Sequence, residues 1–560
     1  MDKKSVTGNR TATGGSYSGD IVGSPMRIAS DCEINYPYDS LRDYLLQLRA
    51  AGELQDINAG IGAEGEYAAL TRWIGAIQGP AILMNNVEGT QQDTSVIGAL
   101  WGSYARCALA FGCRDYHEAL DKVESIINDS SKYIEPVIVD TGPCKENIIK
   151  GNDINLRKVI PFFKMQELER SAYFTLDNTV TKDPYTGIRN AGVYWHGMAD
   201  YNPLTGEPYP DDEIRTVLNS YIVPGVNHGG IHYTKLQQKN PGAPMEVAIV
   251  AGLDPVLEYV GGYVSKFGVD EYAVAGGLRG RPVKLVKCET VDLEVPASAE
   301  FVVEGLVQPG YPEEFRYDGP PSSFHGYVPR SPEKVMKTVV TCITHRNKPI
   351  WPTSVELWSP PVWDHLPLAA FNSDIKMREI KTILGEHIQD VAVLPWPFGE
   401  HNGIVVISIN FKPMPHFARQ VMHAVWALNQ RVKWVIVVDD DIDVRNWGEI
   451  TMALSACVQP ARDIYIEAHS NTHFRDASIA GFPSEPQLPQ VKGEAIGIDA
   501  TVKVPEYFSR EADPRPRKAQ PSAGKLRAVY EKLKSELDFS GVDVEAYLKA
   551  HAYKTRYLGD

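Results

Sequence analysis

The first strong apolar pattern in the chain begins shortly after residue 37. Four apolar residues recur there at spacings of three and four positions, which places them on one face of a helix: Leu41, Tyr44, Leu45 and Leu48. Asp39 and Ser40, directly before this run, are residue types that cap helix N-termini. The pattern predicts an amphipathic helix with one side docked against the rest of the fold.

Short apolar runs predict strands along much of the remaining chain. The clearest runs cover residues 81–84, 245–252, 283–288 and 433–438. Residues 417–428 follow the helical period instead, and a further helix is predicted to begin near Trp447. Strands and helices are mixed along the chain, so the predicted fold class is mixed α/β.

Two segments contain few apolar positions. Residues 1–30 are rich in Gly, Ser and Thr, which predicts a flexible N-terminal tail, and residues 506–525 are rich in Pro and charge, which predicts a linker. Beyond the linker, four residues with helical spacing predict a terminal helix that packs on a neighbouring subunit: Leu526, Tyr530, Leu533 and Leu537.

Charge and composition narrow the classes of partner. The net charge of -15 argues against a nucleic-acid partner, because binding a phosphate backbone needs a basic face. No run approaches the roughly 18 apolar residues of a membrane span, and the N-terminal residues lack a secretion signal, so we expect no membrane partner and a cytoplasmic location. The seven cysteines are scattered and form no C-x-x-C pair, which indicates reduced thiols rather than disulfides or a zinc site.

Three polar runs lie between the predicted elements. Residues 141–147 (TGPCKEN) alone predict only a polar turn. Residues 287–305 combine a strand, a break at Pro296 and an apolar stretch that ends in Glu304 and Gly305, and acids at such a strand edge are either functional or simply solvated. Residues 437–443 (VVDDDID) place acids after a buried strand, at the end where ligands gather in open α/β sheets.

Taken together and in this order, the three runs resemble the UbiD family of reversible decarboxylases, over about residues 37–500. The resemblance implies a central flavin-reductase-like split β-barrel between N-terminal and C-terminal α/β regions. It divides the chain into a flexible tail (1–30), an N-terminal α/β region (31–140) and a split β-barrel that binds the cofactor (141–345). These are followed by a C-terminal α/β oligomerisation domain (346–505) and by a linker with a helical segment (506–560).

The resemblance also implies a cofactor and its supplier. The expected cofactor is prenylated flavin mononucleotide (prenylated FMN), made by a flavin prenyltransferase and held through a divalent metal, Mn²⁺ or Fe²⁺, with K⁺ nearby. The family further implies a homo-oligomer, either a dimer or a hexamer.

The metal ligands that the family uses are an Asn, a His and a Glu, and each has a counterpart here. Asn190 opens the run NAGVYW, which is similar to the family pattern N-x-G-x-Y-R, and Glu271 lies at the family spacing after the strand that ends near residue 252. His228 is the expected histidine, with His232 as the alternative. Lys412 is the expected direct partner of the flavin phosphate. A surface position for Lys412 and a purely structural role for His228 remain alternatives.

The chain departs from the family where an Arg and two acids normally lie near the flavin ring. Trp195 occupies the Arg position, the first acid corresponds to Asp318, and the second is replaced by Ser323. A serine cannot transfer a proton as a carboxylate does at neutral pH, and a tryptophan has no charge to hold a carboxylate. Histidine is the side-chain type that ordinarily titrates near pH 7, so His325 is the expected replacement proton donor. Trp195 offers an apolar surface on which an aromatic ring can stack.

These features predict a carboxy-lyase acting on a small aromatic acid or an aryl-coenzyme A thioester. The altered Arg and acid set resembles that of phthaloyl-coenzyme A decarboxylase, which implies conversion of phthaloyl-coenzyme A to benzoyl-coenzyme A and CO₂. Two alternatives remain open. One is a decarboxylase of hydroxybenzoate-type phenolic acids, and the other is a catalytically inactive flavin-binding paralogue.

Overall fold

A computed structural model describes most of the chain. The described residues are 28, 32–77, 79–88, 93–164, 171–174, 176–199, 206–217, 228–263, 266–310, 336–354, 364, 366–394, 403–410, 416–429, 432–472, 491–503, 521–537, 539, 544 and 548. The predicted N-terminal tail lies almost entirely outside these residues.

Strands and helices both occur along the described chain. The strands are β1 Leu54–Ile57, β2 Ala81–Met84, β3 Ser95–Gly98, β4 Val137–Ile138, β5 Asn147–Lys150, β6 Ser171–Phe174, β7 Asp177–Lys182, β8 Arg189–Gly192, β9 Trp195–Ala199, β10 Glu213–Val217, β11 Met245–Ala251, β12 Lys284–Lys287, β13 Glu294–Pro296, β14 Phe301–Val307, β15 Met336–His345, β16 Ile350–Pro352, β17 Ile388–Leu394, β18 Ile404–Ile409, β19 Trp434–Asp439, β20 Ile464–Thr472 and β21 Val491–Asp499. The helices are α1 Leu41–Ala50, α2 Glu66–Ala76, α3 Tyr104–Ala110, α4 Tyr116–Ile127, α5 Leu156–Val159, α6 His228–Lys239, α7 Pro255–Gly262, α8 Glu271–Arg279, α9 Leu366–Met377, α10 Ile380–Leu384, α11 Phe417–Leu428, α12 Trp447–Cys457, α13 Pro460–Asp463 and α14 Ala523–Leu533.

Helix α1 forms where the apolar pattern predicts it. The Ser40 side chain caps its N-terminus by accepting a hydrogen bond from the backbone N–H of Asp43. All four predicted apolar residues are buried, and Leu41 and Leu48 are fully so. Burial of one leucine side chain contributes about 1.5–3 kcal/mol, so this face attaches the helix to the core. The prediction is confirmed.

The described strands form four sheets. An N-terminal sheet has the order β1-β2-β3-β16, and a nine-stranded central sheet follows the path β6-β9-β10-β15-β14-β11-β7-β8, with β5 paired to β15. A small sheet has the order β13-β12-β4, and a C-terminal sheet has the order β17-β18-β19-β21-β20. Helices accompany each larger sheet along the chain, so the predicted mixed α/β class is confirmed.

The central sheet lies where the resemblance places the split β-barrel. Strand β11 is antiparallel to β14 on one side and to β7 on the other. The strands predicted over 245–252 and 283–288 are β11 and β12, and the predicted polar turn at 141–147 contains a short 3₁₀ turn before β5 begins. These local predictions are confirmed.

The C-terminal sheet also follows its sequence pattern. Residues 417–428 form α11, the run 433–438 becomes β19, and α12 begins at Trp447 as predicted. Strand β19 ends at the buried Asp439, whose Oδ2 accepts a hydrogen bond from the backbone N–H of Val502 at 2.7 Å. The first acid of this run therefore fixes the neighbouring chain segment.

The terminal helix begins earlier than the linker prediction placed it. Ser522 caps α14 by accepting from the N–H of Lys525, so residues 523–525 are helical rather than part of the linker. Leu526, Tyr530 and Leu533 are half-buried, and Leu537 is 55% exposed. The helix therefore keeps part of its apolar side open within one chain.

Two further features concern the thiols and the lengths of the helices. All seven cysteines are free thiols, as their scattered spacing predicts. In the described part of the chain, no helix combines the length and the apolar character that crossing a membrane requires.

Candidate active site

Three polar side chains that the sequence nominated lie together beside the central sheet. Nδ1 of His228 is 3.0 Å from Oδ1 of Asn190 and 3.8 Å from Oε1 of Glu271. The three residues are 5%, 4% and 2% exposed, respectively. An amide oxygen, an imidazole nitrogen and a carboxylate oxygen from three separate elements therefore converge in a buried place.

The β7–β8 hairpin positions Asn190. Thr181 in β7 is paired in register with Asn190 in β8, and the first turn of α6 lies against the same hairpin. Tyr194 anchors that turn, because its hydroxyl accepts the backbone N–H of Gly229 at 2.7 Å. Gly192 leaves room for this ring, since a Cβ atom there would lie 2.9 Å from Cε2 of Tyr194.

Helix α8 positions Glu271. Asp270 caps the helix through the N–H of Tyr272, and Glu271 is the first helical residue, where the helix dipole favours a negative charge. Oε2 of Glu271 accepts the backbone N–H of Ala191 at 2.9 Å. Because that bond fixes one carboxylate oxygen, Oε1 is the oxygen that faces His228.

The donor set fits a divalent metal. Ligand atoms about 2.0–2.3 Å from a metal lie close to 3 Å from one another, which is near the separations seen here. Nδ2 of Asn190 is buried without a hydrogen-bond partner, which indicates a side chain whose polar groups the protein alone does not satisfy. Among the described residues no group of three His, Cys, Asp or Glu side chains is arranged to hold a metal, so an amide is needed to complete this set.

His232, the alternative histidine, faces a different partner. It lies one turn further along α6, and its Nδ1 is 2.9 Å from Oγ1 of Thr181. Burial lowers the pKa of His232 to about 4, so the ring is neutral at pH 7. Phe267 packs edge-on against both His228 and His232. The geometry brings His228, rather than His232, to Asn190 and Glu271.

Tyr194 is a site residue that the sequence reasoning missed. Its hydroxyl accepts the backbone N–H of Gly229 at the start of α6, and burial raises its pKa to about 12. The sequence does contain a signal for this residue, because Tyr194 occupies the tyrosine position of the pattern N-x-G-x-Y-R that begins at Asn190.

A buried polar chain crosses the central sheet beside this site. Oγ1 of Thr179 donates to Oδ2 of Asp177 at 3.0 Å and lies 2.7 Å from Nε2 of His196. Nδ1 of His196 is 3.1 Å from Oγ1 of Thr216, which in turn bonds Thr338 at 2.6 Å. Burial lowers the pKa of His196 to about 3 and raises that of Asp177 well above its ordinary value. Burial therefore favours the neutral form of both groups.

Glu258 in α7 is a second buried acid. Trp101 donates its indole N–H to Oε1 of Glu258 at 2.7 Å. Burial, with a smaller contribution from the negative charge of Asp254, raises the pKa of Glu258 to about 8. Glu258 is therefore largely protonated at pH 7.

Several predicted site residues lie outside the described part of the structure. Trp195 is described only as backbone, where it begins β9 and pairs with Val217. The other four are Asp318, Ser323, His325 and Lys412. The proposed proton donors and the phosphate lysine therefore remain predictions.

Comparison with known families covers most of the chain. Three family models match in order: the 3-octaprenyl-4-hydroxybenzoate carboxy-lyase N-terminal domain at residues 45–126, its Rift-related domain at 136–357 and its C-terminal domain at 368–500. The first, second and third matched regions include β1, the Asn190 site and β19, respectively.

Individual proteins agree with these models. An uncharacterized protein of Archaeoglobus fulgidus is 28% identical over 487 residues, 83% of this chain and 92% of that protein. HmfF from Pelotomaculum thermopropionicum, a UbiD-class enzyme solved in complex with FMN, is 27% identical, with a TM-score of 0.70 over 85% of this chain and 97% of that one. Vanillic acid decarboxylase from Sedimentibacter hydroxybenzoicus has the same fold, with a TM-score of 0.72 at 23% identity over 89% of this chain and 99% of that one. This chain belongs to the UbiD family of carboxy-lyases.

Proposed function

We propose that this protein is a prenylated-FMN-dependent decarboxylase of an aromatic acid, and that Asn190, His228 and Glu271 hold the divalent metal that binds the flavin phosphate. The observation that carries the proposal is the approach of the Asn190 amide and the Glu271 carboxylate to within 4 Å of the His228 imidazole. Two oxygen donors and one nitrogen donor suit Mn²⁺ or Fe²⁺. Support for a flavin comes from the UbiD-class relative solved with FMN and from its evolved dimeric form solved with prenylated FMN.

Each protein group has a defined part in this arrangement. Asn190 and His228 supply neutral donors, and Glu271 supplies the negative charge that partly neutralises the cation. Lys412 is the proposed direct partner of the phosphate, and K⁺ is proposed beside it, because a strongly anionic phosphate needs added positive charge in a protein of net charge -15. Prenylated FMN, when bound, would supply the electron sink for the bonding electron pair that stays on the substrate carbon when CO₂ leaves.

The proposed substrate is phthaloyl-coenzyme A, whose decarboxylation would yield benzoyl-coenzyme A and CO₂. The bond from the ring carbon to the carboxylate breaks, CO₂ leaves, and a proton takes its place on that carbon. Asp318 or His325 is the proposed proton donor, since Ser323 is too weak an acid to serve. Trp195 is proposed to line the ring pocket. Without an Arg to hold the free carboxylate, contacts with a coenzyme A tail would position the reacting carbon.

A flavin prenyltransferase is the proposed supplier of the cofactor, and a homo-oligomer is the proposed assembly. The half-buried apolar side of α14 supports a neighbouring subunit, because an exposed apolar helix face gains free energy when it is covered. Light scattering that shows a monomer at micromolar concentration would contradict this part of the proposal.

The test uses the full-length protein loaded with prenylated FMN. CO₂ release is followed with phthaloyl-coenzyme A, free phthalate and 4-hydroxybenzoate as separate substrates, and the Glu271→Gln variant serves as the cofactor-poor control. We expect turnover of the thioester alone, and loss of both cofactor and turnover in E271Q. Turnover of the free acids alone would favour the phenolic-acid decarboxylase. Flavin binding without CO₂ release from any of the three would favour the inactive paralogue.

A further inference from the structure

An ion pair lies directly behind the proposed metal ligands. Arg189 precedes Asn190 in β8, and Asp270 precedes Glu271 at the start of α8. Nη2 of Arg189 is 2.6 Å from Oδ2 of Asp270. The pair therefore joins the two residues that come immediately before two of the three proposed ligands.

The guanidinium of Arg189 is held from a second side. Its Nη1 is 2.7 Å from Oε2 of Glu294 in β13, and Glu294 also receives Nζ of Lys182 at 3.0 Å. The Arg189 and Asp270 side chains are only 15% and 14% exposed, so water screens the pair weakly. A planar guanidinium that forms ion pairs with two carboxylates has little freedom to rotate. Arg189 is therefore a rigid link between β8 and the start of α8.

Arg189 does not reach the ligand cluster itself. Successive side chains of a strand point to opposite faces, so Arg189 and Asn190 lie on opposite sides of β8. On the ligand side, the link between the same two elements is the bond from Ala191 N–H to Glu271. Strand β8 and helix α8 are thus joined on one side by this bond and on the other by the ion pair.

We infer that Arg189, acting through Asp270, is a positioning residue that sets the separation of Asn190 from Glu271 and thereby the metal affinity of the site. This inference rests on the proposed metal-binding function of Asn190, His228 and Glu271. If the ion pair is removed, α8 can move relative to β8, and the amide and carboxylate oxygens no longer meet at one coordination distance. Supporting interactions behind metal ligands act in this way in other proteins.

The test measures binding of Mn²⁺ alone to the flavin-free, full-length protein by electron paramagnetic resonance. Arg189→Met and Asp270→Asn should each weaken Mn²⁺ binding roughly tenfold or more, and the double variant should be no weaker than the single variants. Asn is as good a helix cap as Asp, so D270N keeps the bond to Tyr272 while losing the charge. Arg189→Lys, which keeps the charge, should recover part of the affinity.

Lys182→Met is the matched control. Lys182 belongs to the same charge network through Glu294 but has no ion pair with Asp270, so K182M should change Mn²⁺ affinity by less than about twofold. Urea unfolding of both variants reports any general loss of stability. Wild-type Mn²⁺ affinity in R189M would overturn the positioning role, as would equal losses in R189M and K182M. Failure of the wild-type protein to bind Mn²⁺ would instead overturn the metal site on which the inference rests.

Discussion

Strand β7 of the central sheet and strand β19 of the C-terminal sheet are equally well buried but have opposite side-chain chemistry. In β19 of the C-terminal sheet, residues 435–438 are all apolar and at most 2% exposed. In β7 of the central sheet, four polar residues are at most 1% exposed: Asp177, Asn178, Thr179 and Thr181. Only Val180 gives that strand an apolar side chain.

This difference concerns the hydrogen-bond partners that buried side chains require. A buried polar group costs about 1–3 kcal/mol unless it finds a partner, so the elements packed against β7 must supply one for nearly every residue of this strand. Thr179 finds His196, and Thr181 finds His232. Residues 435–438 of β19 need no such partners and form part of the apolar core. In the central sheet, by contrast, buried polar side chains occur in β7, which pairs with the strand that holds the candidate ligand Asn190.

The largest expected effect comes from replacing Glu258 by Gln. The folded-state pKa of Glu258, about 8, lies above its ordinary value of 4.5, so folding favours the protonated acid. The contribution of Glu258 to the free energy of unfolding is complete below pH 4.5. It falls by about 1.4 kcal/mol per pH unit between pH 4.5 and pH 8, a total of about 5 kcal/mol. In E258Q the amide oxygen can still accept the indole N–H of Trp101. Because an amide does not titrate in this range, the pH-dependent loss of stability should disappear.

Urea unfolding at pH 5 and pH 8 measures the Glu258 effect. The wild-type protein should lose more stability than E258Q between the two pH values, and the curves should meet near pH 5. Parallel curves across this range would show that Glu258 is charged in the folded state, and the central region would then bury a true carboxylate.

The next largest effect is expected from an acid placed in the C-terminal sheet. Val437→Asp puts a carboxyl group where the surrounding side chains are apolar, and we expect a loss of about 4 kcal/mol or more. Ile466→Asp on the edge strand β20 is the control, because Ile466 is 60% exposed and should lose less than about 1 kcal/mol. Thermal unfolding compares the two. Similar losses would mean that the buried interior of the C-terminal sheet tolerates a carboxyl group as well as its exposed edge does, which would contradict the apolar character assigned to β19.

A smaller effect is expected from Thr179→Val. Valine has nearly the same shape, but it removes the hydroxyl that joins Asp177 to His196, and we expect a loss of about 1–3 kcal/mol. Thr94→Val is the matched control, because the Thr94 hydroxyl is also buried but has no hydrogen-bond partner, so this change should be neutral or stabilising. An equal loss in both variants would show that the polar chain contributes no stability.

Sequence patterns predicted the elements whose burial is apolar. Helices α1 and α11 and strand β19 each carry a periodic or continuous apolar run, and all three form where predicted. Strand β7 gave no such signal, because its buried residues are polar and resemble a loop in sequence. The partners that make its burial possible come from β9 and α6 and are visible only after folding.

The candidate site was predictable only in part, for a related reason. Asn190, His228 and Glu271 were nominated by similarity to the family pattern, and the fold brings them together. The bond from Ala191 N–H to Glu271 spans 80 residues and uses a backbone donor, which leaves no trace in the identity of the residue. The Arg189–Asp270 pair likewise looks like two ordinary surface charges until β8 and α8 are placed side by side.

The central claim is that His228, with Asn190 and Glu271, holds a metal. Pulsed electron paramagnetic resonance of the Mn²⁺-loaded protein tests it directly, because a coordinated imidazole gives a ¹⁴N coupling. We expect one such coupling in the wild-type protein and in His232→Gln, and its loss in His228→Gln. A coupling that persists in H228Q, or that disappears only in H232Q, would contradict the assignment.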